Sequence, residues 1–309
     1  MEVIKVRCPA TVANLGAGFD VFGMALKEPY DIIEVKVQEK GVEIDVEGYE
    51  VPTKPEENTG GYVALRMLED FNLEYGVKIR IFKRIKPGSG LGSSAATASG
   101  VAYAMNKLFD LRLSMNRLVE YAALGETVSA GVPHADNVAP AIYGGFTVIA
   151  SREPLKVLRF KPPPMGVVIA LPDVEKGSTK LARAVIPKMI PLESMVRNVG
   201  YASMLAIGMV TGDVSLVKMG MNDCVVEPAR AEAGILKGFK LFKKVGLEVD
   251  AGVAASGAGP AVVGVVEKEK VEMLYEAFKG VCRSLGLGCM FYKTEPGDGI
   301  CEIEEASGL

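Results

Sequence analysis

The chain has 309 residues, 49% of them hydrophobic and 24% charged, and 35 basic against 38 acidic residues leave a net charge of −3. That length and balance suit a globular protein of about two domains with a large core. They exclude an overall field that would draw the chain to nucleic acid or to an anionic membrane. The five cysteines, Cys8, Cys224, Cys282, Cys289 and Cys301, form no CxxC pair, and there is one histidine. This predicts neither a zinc site nor a disulfide framework, but free, buried thiols in a reducing cytosol. The opening MEVIKVR carries charge and has no apolar stretch, and the longest uncharged run, Ala251–Val266, is too short and too rich in glycine to span a bilayer. Together these features predict a cytoplasmic protein without a membrane or nucleic-acid partner.

In chain order, Val3–Arg7 alternates apolar and charged residues as a half-buried strand that Pro9 ends, and a loop follows over Ala10–Gly18. Tyr30–Val37 and Val42–Val46 read as a strand pair turning at Lys40–Gly41. Asn58 or Thr59 caps a helix to about Phe71, and the alternation of Val77, Ile79 and Ile81 marks a strand that runs into a glycine-rich loop. Small residues then carry a helix from Ser93 to about Leu108, and Ser114 caps another to about Val128, with Glu126 near its end. Gly144–Ala150 is a strand, and Ser151–Pro164 reads as the junction between domains spanning 1–155 and 156–309. In the second half, strands at Val167–Leu171, Asp250–Ala254, Ala261–Val266 and Cys289–Lys293 alternate with helices at Pro191–Thr211, Ala229–Val245 and Lys268–Leu285. That order is the split βαβ of a ferredoxin-like domain, and the fold class is α+β.

The glycine-rich stretch is Pro87–Ala96, PGSGLGSSAA, with Gly88, Gly90 and Gly92 at every second position and two hydroxyls where the helix begins. Such a loop lets the backbone come close to a ligand, and a helix N-terminus aims unpaired N–H groups at an anion. A tight strand-to-helix turn without a ligand would use the same glycines. Neither a Walker loop nor a dinucleotide fingerprint fits, because no lysine follows Gly92 and the spacing is GxGxG.

Three stretches, CPATVANLGAGFD at Cys8–Asp20, PGSGLGSSAA at Pro87–Ala96 and ASGAGPAV at Ala255–Val262, resemble in order the three motifs of the GHMP kinases. Within that family, NLGAGFDVFG and PHADNVAPAIYGGF look most like the members that phosphorylate homoserine. The resemblance implies a two-domain fold, with an N-terminal domain like the second domain of ribosomal protein S5 and a ferredoxin-like C-terminal domain. It also implies an ATP- and Mg²⁺-dependent kinase acting on a small amino acid, and relatives suggest a homodimer. Another small-molecule kinase of the family, for mevalonate or shikimate, and a catalytically silent binding protein on the same fold are the alternatives. The intact PGSGLGSS and the glutamate at 126 argue against silence.

By the same resemblance, ATP is held by Lys86, Pro87, Gly88, Ser89, Gly90, Leu91, Gly92, Ser93, Ser94, Ala95 and Ala96, with the Ser93 hydroxyl on the phosphates and Lys86 offsetting charge. Ser94 and Glu126 hold Mg²⁺, which prefers hard oxygen ligands. Asn14, Asp20, His134, Asn137, Arg183 and Arg230 bind the acceptor, an arginine taking its carboxylate in bidentate fashion. Asn137 and Arg183 are the catalytic pair. Asn137 lines up with the aspartate that serves as base in other members, and since an amide cannot take a proton at neutral pH, the neighbouring Asp136 is expected to point into loop hydrogen bonds.

Overall fold

The computed structural model describes residues 3–131, 133–174 and 179–303; the first two residues of the MEVIKVR segment lie outside them. Strand β1 (Val3–Asn14) runs antiparallel to the long β2 (Gly18–Gln38). Pro9 does not end β1. A register shift between Pro9 and Thr11 absorbs its missing N–H, and the stretch expected as a loop from Ala10 continues as strand to Asn14.

β3 (Val42–Gly48) follows β2 closely, yet the two do not pair as expected. β4 (Gly76–Lys83) is inserted between them, antiparallel to β2 and parallel to β3. Parallel neighbours need a crossover, and α1 (Thr59–Asp70) supplies it. Asn58 caps α1 as predicted, its Oδ1 accepting from the N–H groups of Gly60 and Gly61.

α2 (Ser93–Leu108) has the predicted limits, but its cap is Gly92 in the left-handed conformation rather than a hydroxyl. Its small residues let it lie against β1 and β2. α3 (Met115–Ala130) begins at Ser114, whose side chain accepts from Arg117 N–H, and the short α4 (Val138–Tyr143) follows. β5 (Phe146–Arg152) pairs with β2, and β6 (Leu155–Phe160) extends it. The stretch expected as a junction from Ser151 thus holds a strand of the first sheet, because LKVLRF finds a partner in β5.

The second sheet is built from β7 (Gly166–Pro172), β8 (Gly252–Ala255), β9 (Val262–Val266) and β10 (Cys289–Thr294), in the order β10-β7-β9-β8 with every pairing antiparallel. This is the ferredoxin-like arrangement. Between β7 and β8 lie α5 (Thr179–Ala184), α6 (Leu192–Thr211), α7 (Val214–Gly220), α8 (Val226–Glu232) and α9 (Phe239–Glu248), and α10 (Val271–Ser284) follows β9. The single helix expected over Ala229–Val245 is broken, since Gly234 and Gly238 both take positive φ between α8 and α9. Phe242 of α9 and Phe278 of α10 meet edge to face at 5.1 Å against this sheet, each worth about 1.5–3 kcal/mol of burial. The last strand, β11 (Cys301–Glu302), returns to the first sheet and pairs with β1, which then contains seven strands among the described residues.

The cysteines depart from expectation. Cys282, at the end of α10, is bonded to Cys289 at the start of β10, because the turn between them brings their Cα atoms to 6.4 Å. Of the free thiols Cys8 is buried, Cys224 half-buried and Cys301 exposed. No described helix is long and apolar enough to cross a membrane.

Candidate active site

The glycine loop leaves β4 and enters α2 across the mouth of a cavity of about 420 Å³. Gly90 has φ +85, and a Cβ there would lie 2.6 Å from the Ser256 carbonyl oxygen; Gly92 has φ +65, with Thr11 Oγ1 only 2.0 Å from where its Cβ would be. Only glycine fits these two places. The 256–261 segment of the second sheet packs on the loop, Ser256 Oγ donating to Gly90 O at 2.7 Å and Ala261 N–H to Ser89 O at 3.1 Å.

Pro87, Gly88, Gly90, Gly92, Ser93 and Ser94 line the cavity. Other residues expected on the nucleotide face elsewhere. Lys86 reaches Asp173 at 3.5 Å, Ser89 and Leu91 are buried beneath the loop, and Ala95 and Ala96 are buried in α2. The Ser93 hydroxyl donates to Ile85 O at 2.9 Å, so it is used within the loop. The Ser94 hydroxyl, at the start of α2, donates to Glu126 Oε2 of α3 at 3.0 Å.

The same cavity gathers residues far apart in sequence. Asp20, itself at φ +59, accepts from Arg183 Nη2 on both oxygens, at 2.6 and 2.7 Å, and has Arg152 at 3.6 Å. Its N–H donates to Asn14 Oδ1 at 3.2 Å, and Asn14 Nδ2 donates to Gly257 O at 3.0 Å. Arg230, buried, donates from Nη1 to the same carbonyl at 2.7 Å and from Nε to Ala182 O at 3.1 Å. The Phe19 ring lies 5.2 Å from the Arg183 guanidinium and 5.5 Å from that of Arg230.

His134 Nδ1 is 3.1 Å from Arg183 Nη2. A guanidinium can only donate, so Nδ1 accepts and the proton sits on Nε2, which is buried without a partner among the described residues. Burial and then Arg183 hold the imidazole pKa below its usual value, which keeps it neutral. Asn137 Oδ1 accepts from Thr11 Oγ1 at 2.8 Å, which turns its amide NH₂ away from Thr11. Asp136 accepts the Asn137 N–H at 3.1 Å, a loop hydrogen bond as expected, but its carboxyl also lines the cavity. Burial first, and the Asp20 charge second, raise its pKa to about 6.

Sequence reading missed three parts of this site. Val51, Pro52, Glu57, Asn58 and Thr59 form a wall at one side of the cavity, and nothing in their composition marks them. Thr11 and Phe19 sit inside a quoted motif without having been singled out. Asp31 and Lys83 form a buried ion pair under the loop. A signal for that pair existed: Asp31 shares the buried face of β2 with Ile33 and Val35, and Lys83 that of β4 with Ile79 and Ile81.

The site therefore joins a glycine loop and a hydroxyl–carboxylate pair to two guanidiniums, the carboxyl groups of Asp20 and Asp136, a neutral imidazole and two amides. The family description of the GHMP kinases N terminal domain matches residues 59–145. A homoserine kinase of Methanococcus maripaludis is 48% identical over 309 residues, covering 99% of each chain. The crystal structure of homoserine kinase from Cytophaga hutchinsonii superposes with a TM-score of 0.90 at 36% identity, covering 98% of both chains. Mevalonate kinase of L. major, solved in complex with R-mevalonate, shares the fold with a TM-score of 0.72 at 17% identity, covering 94% of this chain and 96% of that one. Likeness along the whole length, with the glycine loop and its partners assembled in one cavity, establishes that this chain belongs to the GHMP kinase family.

Proposed function

We propose that the protein transfers the γ-phosphoryl group of ATP to the side-chain hydroxyl of L-homoserine, forming O-phospho-L-homoserine and ADP, a step toward threonine. The observation that carries this reading is the junction of the loop with an acceptor pocket built for a zwitterion. Arg183 and Arg230 suit an α-carboxylate, Asp20 suits an α-ammonium, and the His134 Nε2–H, without a partner among the described residues, is a donor for an acceptor oxygen. Asn137, whose Oδ1 lies against the loop at Gly92, would hold the attacking hydroxyl near the phosphoryl group. The hydroxyl oxygen forms the new P–O bond, the bond to the ADP oxygen breaks, and the hydroxyl proton passes to a phosphoryl oxygen, since a loose transition state needs little deprotonation in advance.

Ser94 and Glu126 fit Mg²⁺ as a hydroxyl and a carboxylate 3.0 Å apart beside the loop. Among the described residues no cluster of three or more His, Cys, Asp or Glu side chains forms a fuller metal site, which suits an ion that keeps waters and phosphate oxygens as its other ligands. Bound there, it would neutralise charge on the phosphate chain.

An ADP-release assay with L-homoserine, mevalonate, shikimate and galactose tests the reading. Turnover with homoserine far above the other three is expected, and equal use of mevalonate or galactose would overturn it. A cytoplasmic location goes with this reading. We also propose that two copies pair through α6, where Leu192, Val196, Val199, Ile207 and Val210 are each more than half exposed along one face of a 20-residue helix. Light scattering should give a dimer mass, and Val199→Glu should give a monomer.

A further inference from the structure

Beneath the glycine loop lies a buried charge pair, and Lys83 and its partner Thr97 form part of the lining of the same cavity. The Lys83 ammonium is 1% exposed and Asp31 is fully buried. Besides Asp31 Oδ2, the ammonium donates to Ser93 O at 2.6 Å and to Thr97 Oγ1 at 2.9 Å. Its three protons are therefore all used, and it cannot also bind a phosphate without giving up one of these partners. Asp31 Oδ1 accepts from the backbone N–H groups of Arg84 and Ile85 at 2.7 and 2.9 Å, at the start of the loop. The Lys83 carbonyl in turn accepts from Tyr49 N–H at 3.1 Å, where the chain leaves β3 for the cavity wall at Val51–Thr59. The side chains of the pair thus tie the start of the loop to the first turn of α2, while the wall's root is held by the backbone of residue 83.

The placement is costly. A cation beside a helix N-terminus opposes the helix dipole, and a buried pair is worth little more than apolar packing would be. We propose that Asp31 and Lys83 are positioning residues that hold the start of the glycine loop in register with the first turn of α2, and so set nucleotide affinity through the loop. This rests on the nucleotide-loop part of the functional reading.

Lys83→Met alone would leave a buried, unpaired carboxylate and is expected to fold poorly. The double variant Asp31→Asn/Lys83→Met keeps an oxygen for the Arg84 and Ile85 N–H groups and removes both charges. With the fold retained by thermal melting, its ADP affinity by calorimetry should fall by about tenfold or more while KM for homoserine changes by less than about twofold. Thr97→Val, which removes the hydroxyl that accepts from Lys83 and donates to Ser93 O, should weaken ADP binding in the same sense by roughly threefold, and Thr97→Ser should restore it. If the double variant does not fold, the Thr97 pair decides. ADP affinity within about twofold of the parent in the folded variants, or a proportional rise in KM for homoserine, would overturn the proposal. ADP binding is read without any acceptor, so a parent protein that binds ADP but does not phosphorylate homoserine would count against the substrate assignment and not against this one.

Discussion

Thr11 Oγ1 donates a 2.8 Å hydrogen bond to Asn137 Oδ1, and both atoms lie against the place where Gly92 lacks a side chain. The bond joins β1 to the segment before α4 and fixes which end of the amide faces the cavity. Thr11→Val keeps the shape and removes the donor. It should lower kcat roughly five- to tenfold, equivalent to about 1 kcal/mol, with KM for ATP little changed and a melting temperature lowered only slightly. Steady-state kinetics on the folded variant give the answer; an unchanged kcat would mean that Asn137 does not depend on this bond.

Ser94→Ala and Glu126→Ala each remove one hard oxygen from the proposed Mg²⁺ site. Each should lower kcat by about tenfold or more at saturating Mg²⁺ while circular dichroism stays that of the parent. Near-normal turnover in both variants would remove the metal assignment.

Arg183 and Arg230 should separate by their partners. Among the described residues the Arg183 guanidinium is held by side chains, those of Asp20, His134 and Phe19, so Arg183→Ala should mainly raise KM for homoserine and leave KM for ATP little changed. Arg230 also satisfies the carbonyls of Ala182 and Gly257. Arg230→Ala should therefore raise the same KM and in addition lower stability by about 1–3 kcal/mol, seen as a drop in melting temperature.

Asp136 carries a pH signature. Its pKa rises from an ordinary value of 3.8 to about 6, so the folded chain holds this proton more tightly than the unfolded one. The stability it contributes is complete below pH 3.8 and lost as pH rises through about 6, roughly 3 kcal/mol at most. Asp136→Asn should abolish that part of the pH dependence in denaturant melts. If the phosphoryl oxygens take the acceptor's proton, the variant also keeps kcat within about tenfold at neutral pH, whereas a positioned base is worth about 10²–10⁴. A thousandfold loss, together with the disappearance of an acid-limb pKa present in the parent, would assign the base to Asp136.

Local signals in the chain were enough for the parts that local physics controls. Glycines at 88, 90 and 92 announce a loop only glycine can form, Asn58 and Ser114 announce helix starts, and the element order of the second half announces its sheet. Period-two alternation even places Asp31 and Lys83 on buried faces. Their pairing, however, needs the register of β2 against β4, one step beyond Ile32 opposite Phe82. The insertion of β4 between β2 and β3, the Cys282–Cys289 bond, the return of Cys301–Glu302 to β1 and the meeting of Asp20 with Arg183 across 163 residues are likewise long-range. Periodicity and capping report what a segment prefers by itself. Which segments become neighbours is decided by the burial and pairing of the whole chain, and the cavity lined by Asp20, Arg183 and Arg230 exists only there.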